Sequence, residues 1–164
     1  SSSPELVVIA PGGVFGPPLG DDISGESLTI ISKMLRGKIP FVPKTAFPMV
    51  DVRDVAQLHV KALKNKAAAG KRFIVSGRDP VSFVDAAKIL IEAGYKGPST
   101  KIAPAWLFNI MALFDREAKG MLGILGMHLK ADNSATIETF KWRPIPFKKS
   151  LTDSAKAVKA IEAQ

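Results

Sequence analysis

The chain has 164 residues, of which 46% are hydrophobic and 23% are charged, with a formal net charge of +8 and no cysteine. This balance is typical of a globular protein and excludes a disordered chain. The lack of thiols excludes disulfides, zinc–thiolate sites and cysteine nucleophiles. The two histidines, His59 and His128, are too few and too far apart for a histidine metal site, so no metal is predicted.

The basic charge is spread along the chain rather than gathered in one stretch. The 23 lysines and arginines occur singly or in pairs, which does not predict nucleic-acid binding. A solvated basic surface, or an acidic segment elsewhere that balances it, explains the charge instead. No apolar run approaches the roughly 18 residues that a membrane span requires, and no secretory signal pattern opens the chain. We therefore expect a cytoplasmic protein that binds neither membranes nor nucleic acid.

The first predicted element is a strand over residues 5–10. Its consecutive apolar residues do not alternate with polar ones, which is typical of a parallel strand buried on both faces. Prolines and glycines then predict a long turn over residues 11–23. In open α/β sheets, ligands bind at the carboxyl ends of the strands, so this turn is the first candidate for a site.

Further strands and helices alternate up to Gly94. The pattern predicts helix 24–36, strand 47–52, a helix that ends near residue 65, strand 72–76 and a helix that ends at Gly94. Asp51 and Asp54 have the spacing of a helix cap, and Ser82 and Asp85 have the same spacing before the last of these helices.

From residue 95 the pattern becomes mostly helical, with an apolar run at 106–114, a short helix opened by Asn133 and Ser134, and a final helix capped by Ser150 and Asp153. The predicted fold class is α/β: part of a doubly wound, Rossmann-like parallel sheet over residues 1–94 and a helical substrate-binding subdomain over 95–164. Three strands make a poor parallel sheet, so we expect further strands to lie outside this chain.

Four segments resemble one family in the same order. Residues 8–17 (Val-Ile-Ala-Pro-Gly-Gly-Val-Phe-Gly-Pro) resemble the R/N-P-x-x-V-x-G-P segment of extended short-chain dehydrogenases/reductases, of the NAD-dependent epimerase/dehydratase superfamily. Residues 50–56 (Val-Asp-Val-Arg-Asp-Val-Ala) with His59 resemble a segment of its dihydroflavonol-4-reductase-like members. Residues 71–74 and 141–144 (Lys-Trp-Arg-Pro) resemble its G-x-R-F/Y strand and its G-W-x-P segment.

The resemblance implies the C-terminal half of an NAD(P)-dependent oxidoreductase that transfers a hydride to a ketone or aldehyde. The family's glycine-rich loop and its Tyr-x-x-x-Lys pair belong to the other half, which would bind most of the NADP or NAD. Tyr95 is followed four residues later by Ser99 rather than lysine. No catalytic residue is therefore assigned to this chain, which we expect to be inactive alone.

Two sets of residues are predicted to face the ligands. The resemblance places the first set against the nicotinamide: Pro11, Gly12, Gly13 and Val14. The alternative is that these residues only form a tight turn. The resemblance also places Ser27 near the cofactor pyrophosphate, at a helix N-terminus that favours anions, with a helix cap or a solvent-facing hydroxyl as the alternative. A second, apolar set would line the substrate pocket or belong to the core: Phe15, Leu19, Ile23, Ile31, Trp106, Ile110 and Phe114.

Two other functions remain open. Sugar-nucleotide epimerases and dehydratases of the superfamily carry a diphosphate-binding arginine near position 47, where this chain has Phe47. That difference favours an apolar carbonyl substrate. A non-enzymatic binding module would fold by itself, whereas a fragment would expose a sheet edge and face and self-associate or bind a partner.

Overall fold

The computed structural model describes residues 5–104, 106–107, 110 and 126–164. Within them strands and helices alternate, and the chain is α/β as predicted. The elements in chain order are strands β1 (Val8–Pro11) and β2 (Gly13–Phe15), helix α1 (Glu26–Leu35), strands β3 (Ala46–Phe47) and β4 (Met49–Asp51), helix α2 (Val52–Lys64), a 3₁₀ turn (Lys66–Ala68), strands β5 (Arg72–Val75) and β6 (Val81–Ser82), and helices α3 (Phe83–Glu92), α4 (Ser134–Phe140) and α5 (Phe147–Glu162).

The strands form three pairs, two of them parallel. β1 runs parallel to β5, β2 runs parallel to β4, and β3 pairs antiparallel with β6. The predicted turn over residues 11–23 was wrong at its start, because Gly13–Phe15 continues as strand β2. The chain stays extended there because Gly13 pairs with β4 directly after the pairing of β1 with β5 ends at Pro11.

Local capping sets the starts of two helices. The Ser82 hydroxyl accepts a hydrogen bond from the backbone N–H of Asp85, and the Asp85 carboxylate accepts one from the backbone of Ser82. This confirms the predicted capping box of α3. At α2, Asp51 caps the helix by accepting from the N–H of Arg53. Gly94 follows α3 with a φ of +93°, which a glycine adopts without strain.

The predicted cap of the final helix was wrong. α5 begins at Phe147, directly after Pro146, and has no side-chain cap. Ser150 is buried inside the helix, and Asp153 accepts hydrogen bonds and ion pairs from basic side chains. The proline holds φ in the range that a helix start needs, so the helix extends one turn further toward the N-terminus than the Ser–Asp spacing indicated.

Two hydrophobic clusters hold the elements together. The first packs α1, α3 and α5 against β2 and β4, with Ile31, Leu90 and Val158 fully buried. The second packs α2 and α4 against β1 and β5 and contains Phe73, whose ring meets that of Phe140 at 4.7 Å between centroids. Because α4 and α5 pack directly on the strands, the C-terminal helices complete the core of the first half. The domain division at residues 94 and 95 stays a prediction.

Within residues 5–104 and 126–164, the β1–β5 pair is covered on one face only. Phe73 and Val75 are buried beneath α2 and α4, whereas Ile74 between them is 41% exposed. Ile74 lies opposite Ala10 in the parallel register, so these two residues share the uncovered face. Among the described residues, no helix is both long and apolar enough to cross a bilayer.

Candidate functional site

The segment predicted to meet the nicotinamide lies at the carboxyl end of β1, where the chain changes partner strand. The N–H of Gly12 donates to the carbonyl of Val75 at 3.1 Å, and the N–H of Gly13 donates to that of Pro48 at 3.0 Å. A Cβ on Gly12 would lie 2.4 Å from the Pro48 oxygen and 3.0 Å from the Cβ of Ser76. Glycine is therefore required at position 12 by the neighbouring backbone, before any ligand is considered.

The neighbours of Gly12 differ in what they expose. A Cβ on Gly13 would lie 2.7 Å from the Met49 sulfur, Val14 packs against the second cluster, and Pro11 is exposed. Solvent therefore reaches this segment mainly at Pro11. Contact between the four residues and a nicotinamide stays a prediction.

Ser27 occupies the second position of α1, whose N-cap is Gly25. Glu26 lies in the first turn of the same helix, and Asp22 precedes the helix, where its carboxylate accepts a hydrogen bond from the N–H of Ser24 at 2.8 Å. Negative charge at this end stabilises the helix and repels a phosphate. Ser27 is half-buried, and its role at a pyrophosphate stays a prediction.

The predicted apolar pocket residues separate into two groups. Phe15 and Ile31 are buried in the first cluster, with Ile23 packed against it, and the Phe15 ring meets that of Phe147 edge-on at 5.5 Å. These positions correspond to the core alternative. Leu19, Trp106 and Ile110 are exposed, which leaves their side chains accessible to a ligand. Phe114 lies outside the described residues.

The carboxyl end of β4 is closed by an ion-pair network. The Asp51 carboxylate is 1% exposed and accepts two hydrogen bonds from the Arg53 guanidinium, at 2.8 and 2.7 Å. Arg53 also contacts Asp153 on α5 at 2.9 Å, and Lys149 contacts Asp153 at 3.0 Å. The network joins α5 to the start of α2, and it covers the strand end where a ligand could otherwise enter.

The two carboxylates in this network both have a lowered pKa. Burial raises the pKa of Asp51, but hydrogen bonds from the side chain and backbone of Arg53 lower it by more, so the net pKa is below its usual value. The hydrogen bond from Lys149 is the largest influence on the pKa of Asp153 and lowers it. Both carboxylates therefore remain ionised, and neither is poised as a general acid or base at neutral pH.

Asp54 and the histidines also have structural surroundings. Asp54 is buried and accepts a hydrogen bond from the N–H of Ile145 at 2.8 Å, so it anchors the segment between α4 and α5 rather than completing a capping box. The Nδ1 of His59 contacts the Val55 carbonyl at 2.8 Å, and His128 is exposed beside Ala46. No cluster of metal-ligating side chains occurs among the residues that the structure describes.

The sequence reading missed the contacts that tie α5 to the strands. The N–H of Gly16, just after β2, donates to the Ser154 hydroxyl at 2.8 Å, although the two residues are 138 positions apart. The contact between Arg53 and Asp51 could have been predicted, because Arg53 follows the predicted helix cap by two residues. Nothing in the spacing of Gly16 and Ser154 predicts their contact.

Comparison of the sequence with protein-family models gives no match, and comparison with curated proteins gives none either. Solved structures are similar in fold. Yeast methylglyoxal/isovaleraldehyde reductase Gre2, solved with NADPH, is 23% identical with a TM-score of 0.71. Gre2 from Candida albicans is 20% identical with a TM-score of 0.70. UDP-glucose 4-epimerase from Thermotoga maritima, solved with UDP-glucose, is 18% identical with a TM-score of 0.66.

These similarities cover nearly all of this chain but only about half of the others. The match to yeast Gre2 spans 98% of this chain and 48% of that one, and the match to the Thermotoga epimerase spans 93% and 45%. The shared feature is the fold, an α/β arrangement that holds NADPH in the yeast reductase and NAD in a Bacillus cereus UDP-glucuronic acid 4-epimerase. The chain thus has the fold of part of these nucleotide-cofactor enzymes.

Proposed function

We propose that this chain is the substrate-side portion of an NAD(P)H-dependent carbonyl reductase that transfers a hydride to a ketone or aldehyde. The carrying observation is an incomplete sheet: β1 has a partner on one edge only among the described residues, and the face that holds Ile74 is uncovered. Parallel sheets are stable when both faces are covered. A complementary half would complete the sheet and supply most of the NADP or NAD site.

In this proposal the chain lines part of the cofactor and substrate sites and supplies no reacting group. Pro11, with the backbone of Gly12 and Gly13, would border the nicotinamide, and the exposed Leu19, Trp106 and Ile110 would contact an apolar substrate. The proton donor and the groups that activate it would come from the complementary half.

One observation favours the reductase over the sugar-nucleotide epimerase. The resemblance places a diphosphate-binding arginine near position 47 in the epimerases, and here the half-buried Phe47 ring packs edge-on against Phe83 at 5.8 Å. An aromatic pair in this position contributes to the core and offers no charge to a diphosphate. The site chemistry therefore supports a carbonyl substrate without a phosphate group.

Two assays test the proposal. This chain alone and the longer protein that contains it would each be incubated with NADPH or NADH and with isovaleraldehyde or methylglyoxal, and cofactor oxidation would be followed. In parallel each would be incubated with NAD⁺ and UDP-glucose, and the sugar product would be analysed directly, because epimerisation leaves no net change in the cofactor. We expect reduction of an aldehyde by the longer protein only. Turnover by the 164-residue chain alone would refute the missing-half premise, and conversion of UDP-glucose without aldehyde reduction would assign the epimerase reaction.

A further inference from the structure

The edge of β5 that faces away from β1 is held by two side chains of the α4 segment. Successive carbonyls along a strand point to opposite edges, and those of Ile74 and Ser76 point toward α4. The Thr136 hydroxyl donates to the Ile74 carbonyl at 2.6 Å. The side-chain amide of Asn133 donates to the Ser76 carbonyl at 2.7 Å. Both side chains are buried, and together they take the place of a neighbouring strand.

The end of β5 at Ser76 is held from three sides. The carbonyl just before Ser76 accepts from the N–H of Gly12 at 3.1 Å, and the N–H of Gly77 donates to the Met49 carbonyl at 2.7 Å. Asn133 makes the third contact. The Ser76 side chain lies directly beneath the candidate cofactor wall, because a Cβ on Gly12 would be 3.0 Å from the Ser76 Cβ. In so closely packed an interior, a displacement of Ser76 also displaces Gly12.

Asn133 does not act as an ordinary helix cap. It is the N-cap residue of α4, where an asparagine side chain normally accepts a hydrogen bond from the first turn of its helix. Here the side chain makes no such bond, and its Oδ1 is buried without a partner among the described residues. A buried unpaired acceptor costs stability. The contact with Ser76 therefore explains an asparagine at this position better than the stability of α4 does.

We propose that Asn133 is a positioning residue for the candidate cofactor wall at Gly12. Asn133 holds the Ser76 carbonyl, Ser76 supports Gly12, and Gly12 borders the space predicted for the nicotinamide. Asn133 is buried behind this wall and acts through Ser76 rather than on a ligand. This inference rests on the proposed function, and it adds a residue of the C-terminal segment whose amide sets the geometry of that site.

Hydrogen exchange on this chain tests the contact without any cofactor. Asn133→Leu and Thr136→Val each replace a buried polar side chain with an apolar one of similar size, and each leaves one β5 carbonyl without its donor. The measured quantity is the exchange rate of the Gly12 amide divided by that of the Val8 amide, which also donates to the β5 segment. We expect this ratio to rise about tenfold in Asn133→Leu, as for the loss of one hydrogen bond, and by less than about twofold in Thr136→Val.

Cofactor oxidation by the longer protein tests the consequence for the reaction. With NADPH and isovaleraldehyde, we expect Asn133→Leu to lower kcat by about tenfold, because a displaced nicotinamide transfers its hydride more slowly. The KM for NADPH should change by less than about threefold, since the complementary half holds most of the cofactor. Thr136→Val is the matched control and should keep both constants within about twofold, because Ile74 lies opposite Ala10 rather than beside Gly12. A loss of stability alone would not lower kcat while leaving KM unchanged.

The inference is overturned by an unchanged Gly12 ratio in Asn133→Leu, by an equal change of that ratio in Thr136→Val, or by an equal loss of kcat in both variants. If Asn133→Leu does not fold, the smaller Asn133→Ala replaces it. Failure of both to fold while Thr136→Val folds would assign Asn133 to stability alone and would also overturn the inference. If the longer protein does not oxidise NADPH with an aldehyde, the proposed function fails, while the exchange ratio still decides whether Asn133 holds Gly12 in place.

Discussion

Replacing Gly12 with alanine tests how tightly the candidate cofactor wall is packed. The added Cβ would lie 2.4 Å from the Pro48 oxygen and 3.0 Å from the Ser76 Cβ. Both neighbours are fixed in the fold, Pro48 by accepting from Gly13 and Ser76 by its burial at the end of β5. The strands must therefore move apart rather than a side chain rotate.

The expected cost follows from two terms. Overpacking a rigid site costs about 1–3 kcal/mol, and weakening the hydrogen bonds of Gly12 and Gly13, at 3.1 and 3.0 Å, adds about 1 kcal/mol. We expect Gly12→Ala to lower the free energy of unfolding by about 2–4 kcal/mol, which corresponds to a fall in Tm of roughly 5–15 °C for a domain of this size.

Chemical and thermal unfolding followed by circular dichroism measure this cost. Gly20→Ala is the matched control, since a Cβ at Gly20 meets nothing within 4 Å, and it should change stability by no more than about 0.5 kcal/mol. If Gly12→Ala unfolds at the same denaturant concentration as Gly20→Ala, the close approach of β1 to Pro48 is wrong and the wall of the candidate site has another shape.

Three further predictions concern the buried carboxylates. Arg53→Met leaves Asp51 buried without its bidentate partner and should lower the free energy of unfolding by about 2 kcal/mol. This is less than the cost of breaking a fully buried pair, because the Arg53 side chain is 40% exposed. Urea titration measures the change, and an unchanged midpoint would show that the pair does not contribute to stability. The pKa of Asp51 is lowered in the folded state. Its contribution to stability is therefore fully present above the unfolded pKa of about 4 and is lost as pH falls through the folded pKa. Between these two pKa values, the free energy of unfolding should fall less steeply with decreasing pH in Arg53→Met than in the parent chain. Asp54→Ala removes the acceptor of the Ile145 N–H and should cost about 1–3 kcal/mol, whereas the exposed Asp79→Ala serves as control; equal melting temperatures for the two variants would contradict the anchoring role.

Features governed by neighbours within a few residues were predictable from the sequence. The apolar run predicted β1, the Ser82 and Asp85 spacing predicted the cap of α3, and Asp51 was correctly read as the cap of α2. The shortage of strands pointed to an incomplete parallel sheet, and the matched structures share the α/β fold over about half their length. The strand and capping predictions hold because capping and strand propensity depend on local backbone geometry, whereas the missing strands stay a prediction.

The tertiary structure alone decided the contacts that shape the candidate site. The residues around Gly12 in the sequence do not predict its close approach to the Pro48 oxygen. Those around Asp54 do not predict its hydrogen bond with Ile145, 91 positions away. Whether an apolar residue is core or exposed was also decided there, since Ile31 is buried while Leu19 is not. Burial and long-range contacts depend on which strands and helices pack together. The spacing of residues along the chain predicts single elements but not which of them pack together.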